Sequence, residues 1–103
     1  MKFGVDVTFV DLEDLAAWQQ AIRPNTRLLF IETPSNPLAQ VGDLQAIADI
    51  AHVANALFAV DNTFCTPVLQ QPIKFGADLI IYSSTKYIDG QGRALGGAVV
   101  GNR

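Results

Sequence analysis

The sequence predicts an α/β fold with a mostly parallel sheet and flanking helices. Short apolar runs recur along the chain, and segments whose apolar residues repeat at helical spacing lie between them. Strands that are apolar on both faces are typical of a parallel sheet that helices cover on both sides. Polar residues follow the clearest runs at their carboxyl ends, where ligands bind in sheets of this kind. We therefore expect a small-molecule site at that edge of the sheet.

The amino-terminal part predicts a strand, a helix and a second strand. Val5–Val10 alternates in the manner of a short strand, and Asp11 stands where a helix N-cap is expected, with Asp14 three residues later. Pro24 ends the helix that follows. The continuous apolar run Leu28–Ile31 then predicts a buried strand.

The rest of the chain continues the alternation of strands and helices. A proline-rich turn at Thr33–Pro37 precedes Asp43, which we expect to cap a second helix because the apolar residues after it repeat at helical spacing. Three further strands are predicted by apolar runs, and they span Leu57–Val60, Leu79–Tyr82 and Gly97–Val100. No internal repeat or linker interrupts this pattern.

Composition narrows the class of protein. Half of the 103 residues are hydrophobic and 17% are charged, which is typical of the interior of a larger protein. We therefore expect residues 1–103 to be the central part of a larger, truncated domain. The net charge of −3 is spread without runs, so we expect neither a nucleic-acid nor a membrane partner. The single cysteine, Cys65, forms no internal disulfide, and we expect a reduced, cytoplasmic protein.

Lys86 is the sharpest chemical feature, because it follows an apolar strand directly and has hydroxyl residues close before it. A desolvated lysine has a lowered pKa, and its neutral amine can add to a carbonyl to form a Schiff base. Ser83 and Thr85 would place hydroxyl donors near that lysine, where a phosphate group could bind. The alternatives are a surface lysine at a strand end and hydroxyls that satisfy loop backbone groups.

Two further polar residues end strands or turns. Asp61 is the first polar residue after an apolar run, where we expect a partly buried carboxylate in need of a cationic partner. Asn36 lies in the proline-rich turn and could offer its amide to a bound oxygen. A helix cap or salt bridge for Asp61, and a turn role for Asn36, are the structural alternatives. His52 is expected on a helix surface. No metal-ligand spacing, P-loop or dinucleotide glycine fingerprint is present.

Three motifs in succession resemble those of one enzyme family. They are ETPSNP at Glu32–Pro37, VDNTF at Val60–Phe64 and SSTKY at Ser83–Tyr87. In this order and spacing they resemble the cysteine and methionine metabolism enzymes that depend on pyridoxal 5'-phosphate (PLP). Those enzymes include cystathionine gamma-synthase, the cystathionine lyases, methionine gamma-lyase and the homoserine-ester sulfhydrylases. The resemblance implies that residues 1–103 belong to the large, PLP-binding domain of the fold type I, aspartate-aminotransferase-like class.

The resemblance also implies a role for each candidate residue. It makes Lys86 the lysine that carries the PLP cofactor and Asp61 the partner of the pyridinium nitrogen, and both would be catalytic. It makes Ser83 and Thr85 ligands of the phosphate, and Asn36 a contact of the phenolate oxygen. No metal is expected.

The loop after the lysine narrows the expected reaction. The chain reads KYIDGQGRALGG from Lys86, where lyases and synthases of the family usually read close to KYIGGHSD, and it resembles the O-succinylhomoserine sulfhydrylases. This implies a gamma-replacement in methionine biosynthesis, in which sulfide displaces succinate from O-succinyl-L-homoserine to give L-homocysteine. Cystathionine gamma-synthase or gamma-lyase activity is one alternative, and a non-catalytic remnant that only binds or assembles is another. The resemblance further implies a homo-oligomer, a tetramer at full length, and an inactive piece if residues 1–103 stand alone.

Overall fold

The computed structural model describes residues 2–101 and shows one four-stranded sheet. Its strands lie in chain order and are β1 (Leu28–Glu32), β2 (Leu57–Asp61), β3 (Leu79–Ser83) and β4 (Gly97–Gly101). The first three strands are parallel and β4 pairs with β3 antiparallel. The predicted mostly parallel α/β sheet is therefore confirmed.

The connections between strands are helical. Helices α1 (Leu15–Ala21) and α2 (Leu44–Val53) precede β1 and β2, and the short helix α3 (Thr66–Leu69) follows β2. A single 3-10 turn at Pro72–Phe75 leads into β3, and an irregular π-type turn at Ser84–Ile88 follows it. None of the helices within residues 2–101 is long and apolar enough to cross a membrane.

The core lies between one face of the sheet and helices α1 and α2. Phe58 and Val60 of β2 have no exposed surface, and Ile47 of α2, which belongs to the same core, has none either. Burial of each such side chain contributes roughly 1.5–3 kcal/mol relative to exposure. The residues that share this core are Trp18, Leu29, Ile31, Leu44, Ile47, Ala48, Ala51, Ala56, Phe58, Val60, Ala77, Ile80 and Tyr82.

The opposite face of the sheet is not covered by any helix within residues 2–101. Leu28, Phe30 and Leu57 on this face are each about half exposed, and Val99 of β4 is 68% exposed. The apolar runs were consistent with burial on both faces, but α1 and α2 both belong to the other side. We call this surface the open face.

The amino-terminal prediction is wrong in two details. Val5–Val10 is not a strand, because no strand of the described sheet pairs with it, and alternation alone cannot form a ladder. The N-cap of α1 is Asp14, whose Oδ1 accepts a hydrogen bond from the Ala17 amide at 2.9 Å. Asp11 accepts instead from the Glu13 amide at 3.0 Å, in the turn before the helix. The predicted cap of α2, Asp43, is confirmed by a 3.0 Å bond from the Ala46 amide.

Candidate cofactor site

The carboxyl ends of the parallel strands meet at one edge of the sheet, and the candidate residues lie along it. Strand register places Glu32 beside Asp61, and Asp61 beside Ile81. These side chains therefore share the open face. The proline-rich turn, the loop after β2 and the turn after β3 all leave the sheet at this edge.

Asp61 ends the second of the four strands, where its side chain is half-buried. Its Oδ1 accepts a hydrogen bond from the Thr63 amide at 3.0 Å. Within residues 2–101, the second carboxylate oxygen has no hydrogen-bond partner. The predicted partly buried carboxylate is present, with one oxygen available to a ligand.

Thr63 joins the ends of β2 and β3. Its buried hydroxyl accepts a hydrogen bond from the Ser83 amide at 2.9 Å. Ser83 is half-buried, and among the described residues its own hydroxyl has no partner. Asp61 and Ser83 are therefore linked through one intervening residue, whose amide bonds to the carboxylate and whose hydroxyl bonds to the Ser83 amide. No local sequence pattern predicts this arrangement.

Lys86 lies in the irregular turn Ser84–Ile88, where its backbone (φ −90°, ψ −113°) departs from helical values. The side chain is exposed among residues 2–101, as in the alternative of a surface lysine at a strand end. The reason is that the turn emerges beyond the edge of the sheet, where no element of residues 2–101 covers it. The Lys86 amine has no ion-pair partner within that range.

An aromatic contact connects this turn to the loop after β2. The rings of Phe64 and Tyr87 are 5.7 Å apart between centroids, with their planes tilted by 50°. Phe64 lies three residues after Asp61, and Tyr87 directly follows Lys86. The structure therefore brings the segments that carry the two predicted catalytic residues into contact.

Thr85 holds the base of the loop that follows Lys86. Its hydroxyl accepts from the Gly96 amide at 3.1 Å and donates to the Gly96 carbonyl at 3.4 Å. A side chain at position 96 would place its Cβ 2.7 Å from the Ser84 hydroxyl, so that hydroxyl would have to rotate away. The hydroxyl of Thr85 must release the Gly96 carbonyl before it can donate to a phosphate.

Asn36 is exposed in the turn after β1. The backbone amide of Asn36 donates to Glu32 Oε2 at 3.3 Å, which holds the turn against the end of the strand. A cleft of about 330 Å³ lies beside it and is bordered on the far side by Phe64. The cleft is lined by Pro34, Ser35, Asn36, Pro37, Ala39 and Phe64.

The comparisons with known proteins agree with this geometry. The sequence profile described as Cys/Met metabolism PLP-dependent enzyme matches residues 1–103. The chain belongs to this family. Pyridoxal 5'-phosphate is accordingly the cofactor of the enzymes to which it is related.

Curated members of the Cys/Met metabolism family resemble the chain closely over part of their length. The O-succinylhomoserine sulfhydrylase of Pseudomonas aeruginosa is 61% identical over 100 residues, covering 97% of this chain and 25% of the relative. The cystathionine gamma-lyase of Bacillus subtilis is 48% identical over 99 residues, covering 96% of this chain and 26% of the relative. The chain thus spans about a quarter of the length of these enzymes.

Solved structures of the family share the fold. A methionine gamma lyase from Micromonospora echinospora superposes with a TM-score of 0.93 at 44% identity, over 97% of this chain and 28% of that one. A cystathionine gamma-lyase from Lactobacillus plantarum, complexed with L-serine, gives a TM-score of 0.91 at 41% identity, over 93% and 25%. The fold is therefore that of the fold type I PLP enzymes.

The groups at the sheet edge have the chemistry that PLP requires. A ring nitrogen that holds a proton needs a carboxylate, and Asp61 has one unpaired oxygen on the open face. An aldehyde needs an amine, and the Lys86 amine has no competing ion pair within the described residues. A phosphate needs hydroxyl donors, and the Ser83 hydroxyl has no other partner there. The donor set of this chain fits the cofactor.

Sequence reasoning missed two polar clusters. The buried Asn62 bonds to Gln70 beneath the strand ends, and Asp78 accepts bonds from the Phe58 amide at 2.8 Å and from His52 at 3.0 Å. Both clusters include hydrogen bonds between residues far apart in sequence, so no local sequence pattern predicts them. The exposed position predicted for His52 on a helix is nevertheless confirmed.

Proposed function

We propose that residues 1–103 provide the cofactor lysine and the ring-nitrogen partner of a PLP-dependent gamma-replacement enzyme. The observation that carries this proposal is the convergence of Asp61, Ser83 and the Lys86 turn at one edge of the sheet. One oxygen of Asp61 is available there, and the Phe64 and Tyr87 rings bring the two loops together.

Asp61 is proposed to hold the proton on the ring nitrogen. When PLP is bound with that nitrogen protonated, its ring supplies an electron sink for charge that develops on the substrate. Asp61 suits this role because the Thr63 amide fixes one of its oxygens and leaves the other free. A carboxylate held in this way favours the protonated ring nitrogen through its charge and its hydrogen bond.

Lys86 is proposed to carry the cofactor and to move the substrate proton. Its Nζ would hold the cofactor covalently through the aldehyde carbon. As a free amine, the same group would act as the base that takes the proton from the substrate Cα. Because Lys86 is exposed among residues 2–101, any group that covers its side chain must come from the cofactor, the substrate or other polypeptide.

Ser83, Thr85 and Asn36 are proposed to orient the cofactor. The Ser83 hydroxyl needs no rearrangement to donate to a phosphate, whereas Thr85 exchanges its long bond to the Gly96 carbonyl for one to the phosphate. Asn36 is placed beside the cleft by its bond to Glu32 and presents its amide to the phenolate oxygen.

The proposed reaction is the replacement of succinate in O-succinyl-L-homoserine by sulfide, which yields L-homocysteine. Two observations favour it: the 61% identity to the Pseudomonas aeruginosa sulfhydrylase and the DGQGR loop. Lyase activity is the second candidate, because methionine and cystathionine gamma-lyases are 44–48% identical to the chain. We place this reaction in the cytoplasm, in methionine biosynthesis, and in a homotetramer of the complete polypeptide.

Residues 1–103 by themselves are proposed to be catalytically inactive. The open face leaves Leu28, Phe30 and Leu57 about half exposed, and apolar patches of this kind favour association. Light scattering and a homocysteine assay on residues 1–103, with added PLP, test this. A soluble monomer with the activity of the complete polypeptide would contradict it and would show that the described residues contain the whole site.

The proposed function is tested by locating the cofactor and measuring the products. Borohydride reduction of the complete natural polypeptide, followed by peptide mapping, should place the pyridoxyl mass on Lys86. Label on Lys74 would refute the assignment. Parallel assays with O-succinylhomoserine plus sulfide and with cystathionine then separate the sulfhydrylase from the lyase, since faster turnover of cystathionine would favour the second candidate.

A further inference from the structure

A pair of side-chain amides, from the buried Asn62 and the half-buried Gln70, lies beneath the candidate site. Asn62 follows Asp61 and has no exposed surface. Its Nδ2 lies 3.1 Å from the Thr66 carbonyl, 2.8 Å from the Gln70 carbonyl and 3.3 Å from the Tyr82 hydroxyl, and its two hydrogens are shared among these three acceptors. A fully buried amide is stable only when its hydrogen-bonding groups are satisfied, and this one is.

Gln70 completes the pair. Its Nε2 donates to Asn62 Oδ1 at 2.9 Å and to the Thr33 carbonyl at 3.0 Å, so both of its hydrogens are used. Thr33 is the first residue after β1, and its own amide donates to the Asp61 carbonyl at 3.4 Å. Gln70 therefore ties the residue that begins the Asn36 turn to the residue that follows Asp61.

The pair contacts the ends of three strands through Thr33, Asn62 and Tyr82. Each of these residues is within one position of a strand end, and each is buried. The segment between Asn62 and Gln70 also contains Thr66, the first residue of α3. Its φ of +57° is a left-handed conformation that a β-branched residue rarely adopts. The hydrogen bond from Asn62 to the Thr66 carbonyl helps to hold that loop in place.

We propose that the amides of Asn62 and Gln70 position Asp61, with Gln70 as a positioning residue that acts through Asp61 without touching cofactor or substrate. This inference rests on the proposed role of Asp61 at the ring nitrogen. The carboxylate has one oxygen fixed by its own loop, so its direction depends on the backbone that the pair anchors. A displacement of about 1 Å in such a group costs roughly 10²-fold in rate.

The test variant is Gln70→Met in the complete natural polypeptide with bound PLP. Methionine keeps the length of the side chain and removes both hydrogen bonds without adding a charge. The matched control is Gln71→Met, because Gln71 is exposed and its Nε2 donates only to the nearby Pro67 carbonyl at 3.1 Å. If Gln70→Met does not fold, Gln70→Asn, which retracts the amide by one methylene, is measured in the same way.

The readouts separate positioning from a purely structural role. We expect Gln70→Met to lower kcat by about tenfold to a hundredfold with KM little changed. The pH dependence of the cofactor's visible absorption should shift in the same direction as in Asp61→Asn. The double variant of Asp61→Asn and Gln70→Met should be no slower than Asp61→Asn alone, because the glutamine acts through the aspartate.

Three outcomes would overturn the inference. Gln70→Met could match Gln71→Met in kcat and in absorption, it could lower only the unfolding temperature, or its effect could multiply with that of Asp61→Asn. The failure of the proposed function is recognised separately. If Asp61→Asn itself changes neither absorption nor activity, the assignment of Asp61 is wrong, and with it the inference about Gln70.

Discussion

The ends of β2 and β3 both carry candidate catalytic residues, but the chain holds them very differently. Asp61 lies half-buried beside the buried Asn62 and Thr63. Lys86 is exposed in an irregular turn, which contacts the loop after β2 through one pair of aromatic rings. Residues 2–101 therefore define the surroundings of the carboxylate, whereas they leave the lysine uncovered.

The largest loss of turnover is expected from replacing Lys86, in the exposed turn after β3. Lys86→Ala removes both the attachment of the cofactor and the base for the substrate proton, and should lower turnover by roughly 10³-fold or more. Turnover is measured as homocysteine formation by the complete natural polypeptide. Lys74→Ala is the control, since Lys74 is an exposed lysine in the 3-10 turn before β3, and should leave the rate unchanged. A fully active Lys86→Ala protein would contradict the assignment.

A smaller loss is expected at the end of β2. Asp61→Asn keeps the shape of the side chain but removes the charge that holds the ring proton, so activity should fall by about 10²-fold while the cofactor stays bound. Activity and cofactor content are measured on the same preparation. Asn36→Ala should be milder, because its amide only orients an oxygen. Equal activity of Asp61→Asn and the parent would remove Asp61 from the mechanism.

The contribution of Asp78 to the stability of the region around β2 can be tested by its dependence on pH. Burial raises the pKa of Asp78, but hydrogen bonds from the Phe58 amide and His52, with the charge of His52, outweigh it and lower the pKa below its usual value. The ionised carboxylate is therefore favoured by folding. Its contribution to stability is present above the unfolded-state pKa of about 4, and it is lost as pH falls through the lower folded-state pKa.

Replacement of Asp78 should show this contribution directly. Asp78→Ala leaves the Phe58 amide without its acceptor and should lower the free energy of unfolding by about 1–3 kcal/mol at neutral pH. The difference from the parent, followed by urea unfolding, should shrink in acid. Asp49→Ala is the control, because that exposed carboxylate bonds only to Gln45 on the same helix. A difference between Asp78→Ala and the parent that stays constant with pH would contradict the assignment.

The smallest effects are expected when the same substitution, threonine to valine, is made in each of the two regions. Thr85→Val removes two bonds to Gly96 in an exposed loop and should change the free energy of unfolding by less than about 0.5 kcal/mol. Hydrogen exchange at the Gly96 amide should become faster. Thr63→Val leaves the Ser83 amide unpaired at the buried end and should cost about 1–3 kcal/mol. Equal losses of unfolding free energy from Thr85→Val and Thr63→Val would contradict the difference between the two regions.

The strands of the sheet could be predicted because their sequences identify them locally. Leu28–Ile31, Leu57–Val60 and Leu79–Tyr82 are continuous apolar runs, and each lies in the observed strand. Val5–Val10 failed because alternation describes a strand's faces but does not supply a neighbour to pair with. The strand sequences alone could not identify the open face, because apolarity shows what burial a strand tolerates and does not show which elements cover it.

The site was predicted only in part, for a related reason. The polar residues after each strand could be found from the chain order, and the motifs they form resemble one family. The contacts that orient them are long-range: Gln70 bonds to Thr33 across 37 positions, and Thr63 to Ser83 across 20. Lys86 could be placed after an apolar strand, but the local sequence does not show what lies over the turn, and that sets the exposure of the lysine.

The antiparallel pairing of β3 with β4 places Ser83 opposite Gly97, so the segment between them is a hairpin connection closed at its base. The Asp89 carboxylate folds the tip by accepting bonds from the amides of Gln91 and Arg93. Changes in the length of a closed loop cost chain entropy only slowly. We therefore expect changes in the length of residues 91–95 to alter the tip of the hairpin connection while the paired base at Ser83 and Gly97 stays in place.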